Sequence, residues 1–368
     1  MKKVEFLKIM MLLIVFLTLS ACSMTKEENG NGIEEPVEGI KEGETETTET
    51  NLDFVSIKKI EKYEGMEITD WFDEQTVVLA KENKELGKMN LLENAEFYPR
   101  SIYLFNLDTK EFKTIKTAKN MFLGGAVLSP DKKHLLYYEY SIGDVAYYLH
   151  SLDNGEQSSV TEENISSAYT AEWTDEQNVI GASYSGGAYM ADTRGIVTQI
   201  TELQDEHLFA VQKIQDKIYY ITTDSPFPQV YMLDLMTKEK RNLKLENTDG
   251  ITLSPDGKQI LVTQVTDSTK RLVIADADGT RQRTITEGSD VTGASWSPNQ
   301  QMIAYQLDSV SNGVNSKGLY LYDVSTGKSI QIAQNVGFAK ITWSPSSEKI
   351  SFTELDERIY NSSIIYLK

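Results

Sequence analysis

Apolar and polar positions alternate in short runs from residue 53 to the end of the chain, and tight polar turns separate these runs. The clearest stretch is residues 250–263, where two apolar runs flank the turn Pro255-Asp256-Gly257. Proline presets φ for a turn, and glycine accepts the positive φ that other residues resist. The stretch is therefore predicted to form a β-hairpin.

The same hairpin recurs along the chain at intervals of about 38 to 57 residues. An apolar residue stands just ahead of each turn, and all four tryptophans occupy this anchor position. The anchors are Trp71, Leu128, Trp173, a position near Val211, Leu253, Trp296 and Trp343. After each hairpin the chain continues with another apolar run, a tight polar turn and a further run. Four strands at this period are typical of a β-propeller blade.

We therefore predict an all-β fold, a β-propeller of seven four-stranded blades over residues 53–368, with six blades as the alternative. The alternating segment 54–60 precedes the first anchor and has no repeat of its own. The last repeat, in contrast, ends one strand short, after residues 363–367. We expect the N-terminal segment to join the last blade as its outer strand, which closes the ring and leaves no open edge.

The repeated pattern Leu/Trp-Ser-Pro-Asp-Gly-Lys-x-Ile resembles that of bacterial TolB-type, WD-repeat-like β-propellers. Residues 253–260 match it best, and residues 296–303 and 343–350 follow. The resemblance extends over residues 53–368 and implies the propeller fold. It indicates little about function, because such propellers serve as periplasmic binding proteins, as caps on peptidases and as scaffolds.

Residues 1–21 have the features of a signal peptide, since three lysines precede a short apolar run. That run is too short for a stable membrane span. It ends at Leu19-Ser20-Ala21-Cys22, which resembles the lipobox of bacterial lipoproteins. The resemblance implies cleavage before Cys22, the only cysteine of the chain, and its modification by lipid, including palmitate. We expect a protein anchored by lipid to the extracytoplasmic face of the cell membrane.

Residues 22–52 form a predicted disordered tether. Between residues 23 and 51 the chain carries nine glutamates and almost no large apolar side chain. Such a segment cannot bury enough apolar surface to offset the entropy of ordering. We interpret it as an acidic spacer that holds the propeller away from the membrane.

The formal net charge of −19 argues against nucleic acid as a partner, because the phosphates would be repelled. Hydrophobic residues make up 40% of the chain, so the region after the tether can bury a substantial core. Charge and composition thus fit an exported, soluble propeller on a membrane anchor.

Strand alternation places the turns of a blade on two opposite faces. The first-to-second and third-to-fourth turns are short, whereas the second-to-third and blade-to-blade connections are irregular, the longest being residues 81–100, 140–146, 223–228 and 308–317. Recognition usually lies on loops held by a rigid scaffold, so we expect the binding face here. The candidate binding residues are Phe97, Tyr98, Arg100, Tyr140, Tyr184, Phe227 and Asp308. The alternative for the aromatic ones is that they pack against their own loops.

Three stretches resemble chemical motifs without matching them. Residues 181–187 resemble the Gly-x-Ser-x-Gly nucleophile elbow, but a serine replaces the second glycine and no helix is predicted to follow. Asp276 and Asp278 resemble the start of a calcium loop, but Gly279 comes two positions too early for an EF-hand. The three histidines lie in different repeats, without metal-ligand spacing. We therefore predict no catalytic residue, no metal site and no cofactor.

The sequence favours a lipoprotein whose propeller is a non-enzymatic binding or scaffolding module for an envelope protein, peptide or glycan. Two alternatives stay open. One is an extracytoplasmic hydrolase or lyase with carboxylates in the propeller channel, because a glycosidase needs only two carboxylates at a set distance. The other is a subunit of an envelope assembly or secretion complex.

Overall fold

The computed structural model describes residues 45–46, 50–51, 54–90, 97–141, 145–160, 168–183, 186–222, 227–311, 314–337 and 339–368. The predicted signal peptide, Cys22 and most of the predicted tether lie outside these residues, as does Tyr184. The unit described below belongs to residues 43–368.

The described residues form thirty β-strands and two short 3-10 helices, Lys84–Leu86 and Thr201–Leu203. The strands are β1 (Thr45–Glu46), β2 (Thr50–Asn51), β3 (Ser56–Tyr63), β4 (Met66–Trp71), β5 (Thr76–Glu82), β6 (Arg100–Asn106), β7 (Phe112–Lys116), β8 (Phe122–Leu128), β9 (His134–Tyr140), β10 (Ala146–Ser151), β11 (Gln157–Ser159), β12 (Ala168–Trp173), β13 (Asn178–Ser183), β14 (Ala188–Asp192), β15 (Val197–Gln199), β16 (Leu208–Ile214), β17 (Lys217–Thr222), β18 (Gln229–Asp234), β19 (Lys240–Glu246), β20 (Thr248–Leu253), β21 (Gln259–Val265), β22 (Lys270–Asp276), β23 (Arg283–Gly288), β24 (Asp290–Trp296), β25 (Met302–Ser311), β26 (Val314–Asp323), β27 (Ser329–Gln334), β28 (Ala339–Trp343), β29 (Lys349–Asp356) and β30 (Ile359–Leu367).

Antiparallel hydrogen bonding arranges twenty-eight of the described strands in seven groups of four, which we call blades, and the short strands β1 and β2 pair in addition with β3 of the last group. Blades one to six are β4–β7, β8–β11, β12–β15, β16–β19, β20–β23 and β24–β27, and the seventh group is β28–β30 with β3. A single parallel pair, Arg100 with Phe122, connects the first two blades. The all-β, multi-bladed propeller expected from the repeat is thereby confirmed.

The core lies between blades. In the described part of the chain each apolar cluster unites residues of two neighbouring blades, as where Val78 and Ile102 of blade one pack with Leu123 and Tyr137 of blade two. Between blades seven and one, Ile364 joins Ile68 and other residues of the first blade. Each fully buried aliphatic side chain contributes roughly 1.5–3 kcal/mol. Neighbouring blades are therefore held together mainly by side-chain packing.

Hydrogen bonds of the serine hydroxyl explain why Ser-Pro-Asp recurs at the hairpin turns. In blade five the Ser254 hydroxyl donates to Asp256 over 2.8 Å and accepts the backbone N–H of Gln259 over 2.9 Å. Gly257 has φ +71°, as its position in the turn requires. Equivalent serines accept the N–H five residues later in three other blades, namely Ser129, Ser297 and Ser344. The hydroxyl thus fixes the turn that begins each of these hairpins.

Blade four lacks this turn, and the anchor expected near Val211 lies two residues later. In the hairpin of blade four Lys213 pairs with Ile218. In blade five the equivalent pair is Leu253 with Ile260, so Lys213 occupies the anchor position. The hairpin turn has only two residues, and the first of them, Gln215, has φ 51°. A two-residue turn leaves no room for Ser-Pro, which explains why the motif is missing there.

The predicted closing strand is confirmed. Strand β3 pairs antiparallel with β30, with Ile57 opposite Leu367 and Tyr63 opposite Ser362. Two further backbone hydrogen bonds join Ser56 and Lys368, of 3.2 and 2.9 Å. The strand is longer than the expected segment, because it continues to Tyr63. The ring is therefore closed by an outer strand from the N-terminal side of the propeller.

The inner strands of blades one to six carry register shifts, which are β-bulges. In β4 the shift lies between Ile68 and Asp70. The hydroxyl of Ser362 in blade seven accepts the Ile68 N–H over 2.9 Å, and Thr353 donates to the Ile68 carbonyl over 3.1 Å. Hydroxyls of the last blade thus satisfy backbone groups of the inner strand of the first blade, next to its bulge.

Candidate functional site

The two faces of the propeller differ in their connections. We call loop face the side with the second-to-third and blade-to-blade connections, and turn face the side with the other turns. The described parts of the loop-face connections are residues 64–65, 83–90, 97–99, 117–121, 141, 145, 160, 186–187, 200–207, 227–228, 247, 266–269, 289, 335–337 and 357–358. The candidate binding residues were expected on the loop face.

Two of the candidates meet in an aromatic cluster on the loop face of blades one and two. The Tyr140 ring stacks on Phe122, with centroids 5.0 Å apart and planes at 27°. The Phe97 ring meets Phe122 edge to face, with centroids 6.4 Å apart. Arg358, at the tip of the β29–β30 hairpin, lies 5.2 Å from the Phe97 ring centroid. Tyr98 lies apart from these contacts, with Lys84 5.9 Å from its ring centroid.

Arg100 lies beside this cluster and is buried, with 6% of its surface exposed. Its Nη2 atom donates to Glu67 over 2.6 Å and to the Ala80 carbonyl over 3.1 Å. Its guanidinium carbon lies 4.2 Å from the ring centroid of Tyr360 in blade seven. The Nη1 atom is buried and has no hydrogen-bond partner of normal geometry among the described residues. Arg100 is thus a buried residue whose Nη2 is held by an ion pair and a backbone carbonyl.

The Tyr138 side chain packs over Gly124 and Gly125 and lies near Arg100 and Glu67. A Cβ atom at Gly124 would lie 2.6 Å from the Tyr138 hydroxyl, and one at Gly125 would lie 2.4 Å from its ring. Gly125 also has φ +58°, which favours glycine. The Gly-Gly pair in the inner strand β8 therefore lets the ring lie flat over the backbone.

The tyrosines around Arg100 sit in an environment that disfavours their ionised form. Burial raises the pKa of Tyr138, and the nearby Glu67 carboxylate raises it further, while Arg100 opposes the shift. The pKa of Tyr360 is raised by burial first and then by Glu67, while the charge of Arg100 and its side-chain hydrogen bond with Tyr360 oppose the shift. Burial and the neighbouring Tyr360 raise the pKa of Tyr140. All three hydroxyls are therefore neutral donors and acceptors near pH 7.

The remaining candidates do not join this cluster. Phe227 lies on the loop face of blade four and is 58% exposed. The irregular connection expected over residues 308–317 was wrong, because Asp308 lies in β25 and pairs directly with Lys317 in β26. Its carboxylate accepts a 2.5 Å hydrogen bond from Gln306 and lies 3.4 Å from the Lys317 ammonium. Asp308 is therefore a cross-strand ion-pair residue rather than a loop residue.

Sequence reasoning missed several residues that surround Arg100. They are Glu67, Phe122, Tyr138, Arg358 and Tyr360. The Gly124-Gly125 pair was a usable signal, because adjacent glycines within a strand pattern indicate a bulge or a close approach of another group. Glu67 and Tyr360 lie in other parts of the chain and carry no local signal.

Large exposed apolar side chains are concentrated on the loop face. Among the described residues, those exposed by more than a third are Phe209, Phe227, Val265, Val310, Leu355, Ile359, Ile196 and Met236. The first six lie at strand ends or connections on the loop face, and only Ile196 and Met236 lie in turns of the opposite face. Exposed apolar groups that collect on one side of a domain mark a contact surface.

Three polar side chains on inner strands, those of Glu172, Gln212 and Asp70, form hydrogen bonds between neighbouring blades. The Gln212 amide donates to Glu172 over 3.2 Å and its oxygen accepts the Leu253 N–H over 3.0 Å. The surrounding protein raises the pKa of the Glu172 carboxyl, an effect that the Gln212 hydrogen bond opposes. Burial also raises the pKa of Asp70, although it accepts backbone hydrogen bonds from Leu128 and Trp71. These carboxyls are the residues on which the alternative of a channel enzyme depends.

The described residues contain no cluster of three or more His, Cys, Asp or Glu side chains that would hold a metal ion. They also contain no helix with the length and hydropathy of a membrane span.

Comparison with solved structures places this architecture among known propellers. The chain resembles an oligogalacturonate lyase from Vibrio parahaemolyticus at 12% identity and a TM-score of 0.63, over 88% of this chain and 97% of that one. It resembles an oligogalacturonate lyase in complex with manganese at 12% identity and a TM-score of 0.60, over 89% and 99% of the two chains. TolB from Acinetobacter baumannii gives 13% identity and a TM-score of 0.47, over 79% and 63%. At these identities the likeness concerns the fold alone.

The amino-acid sequence was compared with curated proteins and with models of protein families. No curated protein matches the chain significantly. The model of the TolB beta propeller domain matches residues 93–347, which is more than half of the sequence. This agrees with the Ser-Pro-Asp hairpins and the closed ring of four-stranded blades described above. The chain therefore belongs to the TolB beta propeller domain family.

Proposed function

We propose that this chain is a lipid-anchored extracytoplasmic lipoprotein whose propeller binds a protein partner through its loop face, as a scaffolding module without catalysis. The observation that carries the proposal is the distribution of exposed apolar side chains. Six of the eight large ones in the described residues, among them Val265, Val310 and Ile359, lie on the loop face. Burial of such groups is the main driving force of protein association.

The turn face has a different surface. In its tight turns the Asp192 carboxylate accepts the backbone N–H of Arg194 and pairs with its guanidinium, and the Asp276 carboxylate pairs with Arg281. These polar groups are already satisfied within their own turns. They offer a partner little apolar area and few free hydrogen-bonding groups, so the loop face is the better contact surface.

Membership of the family supports a protein partner. TolB-type propellers act through protein contacts, and the aromatic and arginine residues on the loop face are of the types enriched in binding hot spots. The partner would be another component of the cell envelope. A subunit role in an envelope assembly or secretion complex is one form of this function.

The proposal is tested by crosslinking in native membranes with the full chain. The test variant carries Val265→Ser, Val310→Ser and Ile359→Ser, and the matched control carries Ile196→Ser and Met236→Ser on the turn face. We expect the test variant to lose partner recovery by at least about 10-fold, because a single hot-spot truncation already costs roughly 1–2 kcal/mol. The control should recover the partner like wild type, and both variants should melt within about 2 °C of it. Equal recovery by test and control would exclude the loop face.

The anchor is tested separately with Cys22→Ala. We expect this variant to move from the membrane to the soluble extracytoplasmic fraction, because two acyl chains are needed for stable attachment and the apolar segment is cleaved. A full-length variant that stays in the membrane would show that the segment is a true span. This outcome would contradict the lipid anchor without affecting the binding face.

A channel enzyme is the second candidate. Glu172 favours it, because its carboxyl lies on an inner strand and has a raised pKa, which is the direction that a general acid requires. Against it, a net charge of −19 repels polyanions such as the oligogalacturonate named for the similar lyases. Release of unsaturated products from envelope or plant polysaccharides by wild type, but not by Glu172→Gln, would establish it and overturn the proposal of binding alone.

A further inference from the structure

We propose that the protein partner of the loop face is an integral component of the membrane that holds the lipid anchor, because a fifth strand of blade seven brings the tether out on the loop-face side. The inference rests on the proposed function, since it takes the anchor and the loop-face contact from there. It adds the orientation of the propeller and the class of the partner.

Blade seven carries an additional outer strand beside β3. Strand β1 pairs antiparallel with β3, with Thr45 opposite Glu61. Strand β2 continues along the same edge of β3, also antiparallel, with Asn51 opposite Ser56. We call β1 and β2 together the fifth strand. Both belong to the segment predicted as the tether, so the last part of that segment pairs with the propeller.

The direction of the fifth strand decides where the tether leaves the blade. Strand β3 runs from the turn face to the loop face, because residues 64–65 connect its end to the inner strand β4 on the loop face. The fifth strand is antiparallel to β3, so the chain upstream of Thr45 departs from the loop-face side. Without the fifth strand it would depart from Ser56, which hydrogen-bonds with Lys368 at the turn-face end.

Charge favours this pairing. Residues 42–49 include four glutamates, whereas β3 carries Lys58, Lys59 and Lys62. Lys59 already lies 2.8 Å from a Glu61 carboxylate oxygen, but Lys58 and Lys62 are exposed. The register sets position 46 across from Ile60, midway between these two lysines. Opposite charges on neighbouring strands stabilise their pairing.

The length of the remaining tether limits how the propeller turns relative to the membrane. Between Cys22 and Thr45 the chain has about 22 residues, and a flexible segment of that length spans roughly 25 Å r.m.s.. To present the turn face, the tether would have to follow the outside of blade seven from Glu61 to Ser56, over roughly 17 Å. A tether that leaves from the loop face keeps more of its conformations when this face points to the lipid, so this orientation is favoured.

This orientation limits the partners within reach. The exposed apolar side chains Val265, Val310 and Ile359 would then face the membrane surface. A soluble partner would have to enter the gap between the propeller and the lipid, whereas an integral membrane protein already presents its extracytoplasmic surface there. Attachment of both proteins to one membrane also raises their effective concentration. The orientation therefore favours an integral membrane protein.

The charge of the loop face argues against the lipid itself as the ligand. The carboxylates of Asp249 and Asp290 flank Lys270 at loop-face strand ends, at 3.1 and 3.0 Å, and their side chains are 36% and 40% exposed. The net charge of −19 repels anionic headgroups in addition. The loop face therefore suits a protein surface better than a lipid surface.

The orientation is tested with the lipidated full chain in phosphatidylcholine vesicles that contain a trace of an acceptor-labelled lipid. A donor dye is attached through Ser268→Cys on the loop face or Met236→Cys on the turn face, both at exposed positions. Energy transfer from position 268 should be at least about 2-fold that from position 236, because strands of about seven residues separate the faces by roughly 20 Å. Equal transfer, or more from position 236, would overturn the orientation.

The role of the fifth strand is tested with the double variant Lys58→Glu and Lys62→Glu. Both positions are exposed, so the change should leave β3 paired with β30 but repel the acidic segment upstream. The tether would then leave at the turn face, and the 2-fold difference in transfer should disappear. The matched control is Lys113→Glu with Lys244→Glu, on exposed positions of the outer strands β7 and β19. It changes the net charge equally and should keep the wild-type difference. An unchanged difference in the test variant would exclude the fifth strand as the cause.

The class of the partner is tested in native membranes. A protease site is inserted between Gly30 and Asn31 of the full chain, and Ser268→Cys carries a photo-crosslinker. After crosslinking, the tether is cleaved and the membranes are washed with alkaline carbonate. Cleavage removes the lipid anchor of the chain, so the crosslinked product should stay in the membrane because the partner is integral. Release of the product into the wash would contradict this class of partner.

Two further outcomes have a defined meaning. In vesicles without a partner, an environment-sensitive dye at position 268 that reports the bilayer interior would identify lipid as the ligand and overturn the inference. A chain that does not attach to vesicles at all would contradict the anchor, and the inference with it. The other failures leave the proposed function intact, because the loop-face contact is decided by the serine variant at positions 265, 310 and 359 and the anchor by Cys22→Ala.

Discussion

The Oδ2 atom of Asp70 in blade one accepts a 2.7 Å hydrogen bond from the backbone N–H of Leu128 in blade two. Its Oδ1 atom accepts the N–H of the following residue, Trp71, over 2.8 Å. Gln212 makes the same connection from blade four to Leu253 in blade five, over 3.0 Å. At these boundaries a side chain satisfies a backbone group of the next inner strand, which the β-ladder of its own blade leaves unpaired.

Asp70→Ala should lower the free energy of unfolding by about 1–3 kcal/mol, because it leaves the Leu128 N–H without its acceptor. Gln212→Ala should act in the same direction through Leu253. The matched control is Thr252→Ala, whose hydroxyl contacts the Ala294 carbonyl at a long 3.4 Å and should contribute little. Urea denaturation of the three variants checks the order. A control as damaging as Asp70→Ala would contradict the role given to the boundary hydrogen bonds.

The closing strand makes a second prediction. Ile57 in β3 is 7% exposed and belongs to the core between blades six and seven. Ile57→Ala should cost about 2–4 kcal/mol of unfolding free energy. Ile359→Ala provides the control, because this isoleucine is 57% exposed and its truncation should change stability by less than about 0.5 kcal/mol. Thermal denaturation of both variants measures the difference. Similar melting temperatures would mean that β3 contributes little to closure.

Glu61 makes the closure sensitive to acid. Burial alone would raise the pKa of this carboxyl, but hydrogen bonds from Lys59, Tyr366 and Tyr63 outweigh burial and hold the pKa below its usual 4.5. The native state therefore favours the carboxylate. The stabilisation is complete above pH 4.5 and is lost as the pH falls through the lower native pKa.

Glu61→Gln should accordingly be less stable than wild type at pH 7. The difference should shrink as the pH falls below 4.5, since the wild-type carboxyl becomes protonated as the pH passes through its lowered native pKa. Denaturant midpoints of both proteins across the range provide the measurement. A constant difference at all pH values would show that Glu61 acts through shape rather than charge.

A glycine at position 300, in the hairpin turn of blade six, is predicted to stabilise the protein. Gln300 occupies in blade six the position of Gly257 in blade five, and it has φ 61° without a glycine. Gln300→Gly should raise the unfolding free energy by about 0.5–1 kcal/mol, because a side chain is strained at positive φ. Gly257→Ala is the opposite control. It should destabilise, since its Cβ would also lie 2.9 Å from Ile214. A destabilised Gln300→Gly variant would show that the turn is not strained.

Local chemistry explains what the sequence could predict. The Ser-Pro-Asp turns are determined within six residues, so the Ser254 hydroxyl and its partners can be read from the motif. The closing strand was predictable because its alternation had no repeat of its own. Blade four could be placed only approximately, near Val211, since its two-residue turn carries no motif from which to count.

The surroundings of Arg100 could not be predicted in this way. Its ion-pair partner Glu67 lies 33 positions earlier, and Tyr360 lies in the last blade. Strand alternation indicates that Arg100 stands at a loop-face strand end, but it does not indicate whether the side chain turns inward to a carboxylate. The error at Asp308 has a related cause, because alternation does not show where a long hairpin ends, and β25 and β26 extend to ten residues each.

The pairing of β3 with β30 also means that β3 is synthesised long before its partner strand. Glu61 and its partner Tyr366 are separated by 305 positions, so a ribosome adding 5–20 residues per second completes β30 roughly 15 to 60 s after β3. During this interval β3 waits with an unpaired edge and with Ile57 and Tyr63 uncovered. The same strand carries the charged residues Lys58, Lys59 and Lys62 between its apolar ones. Such charges discourage pairing with other chains, and so they protect the nascent protein from aggregation until its last strand arrives.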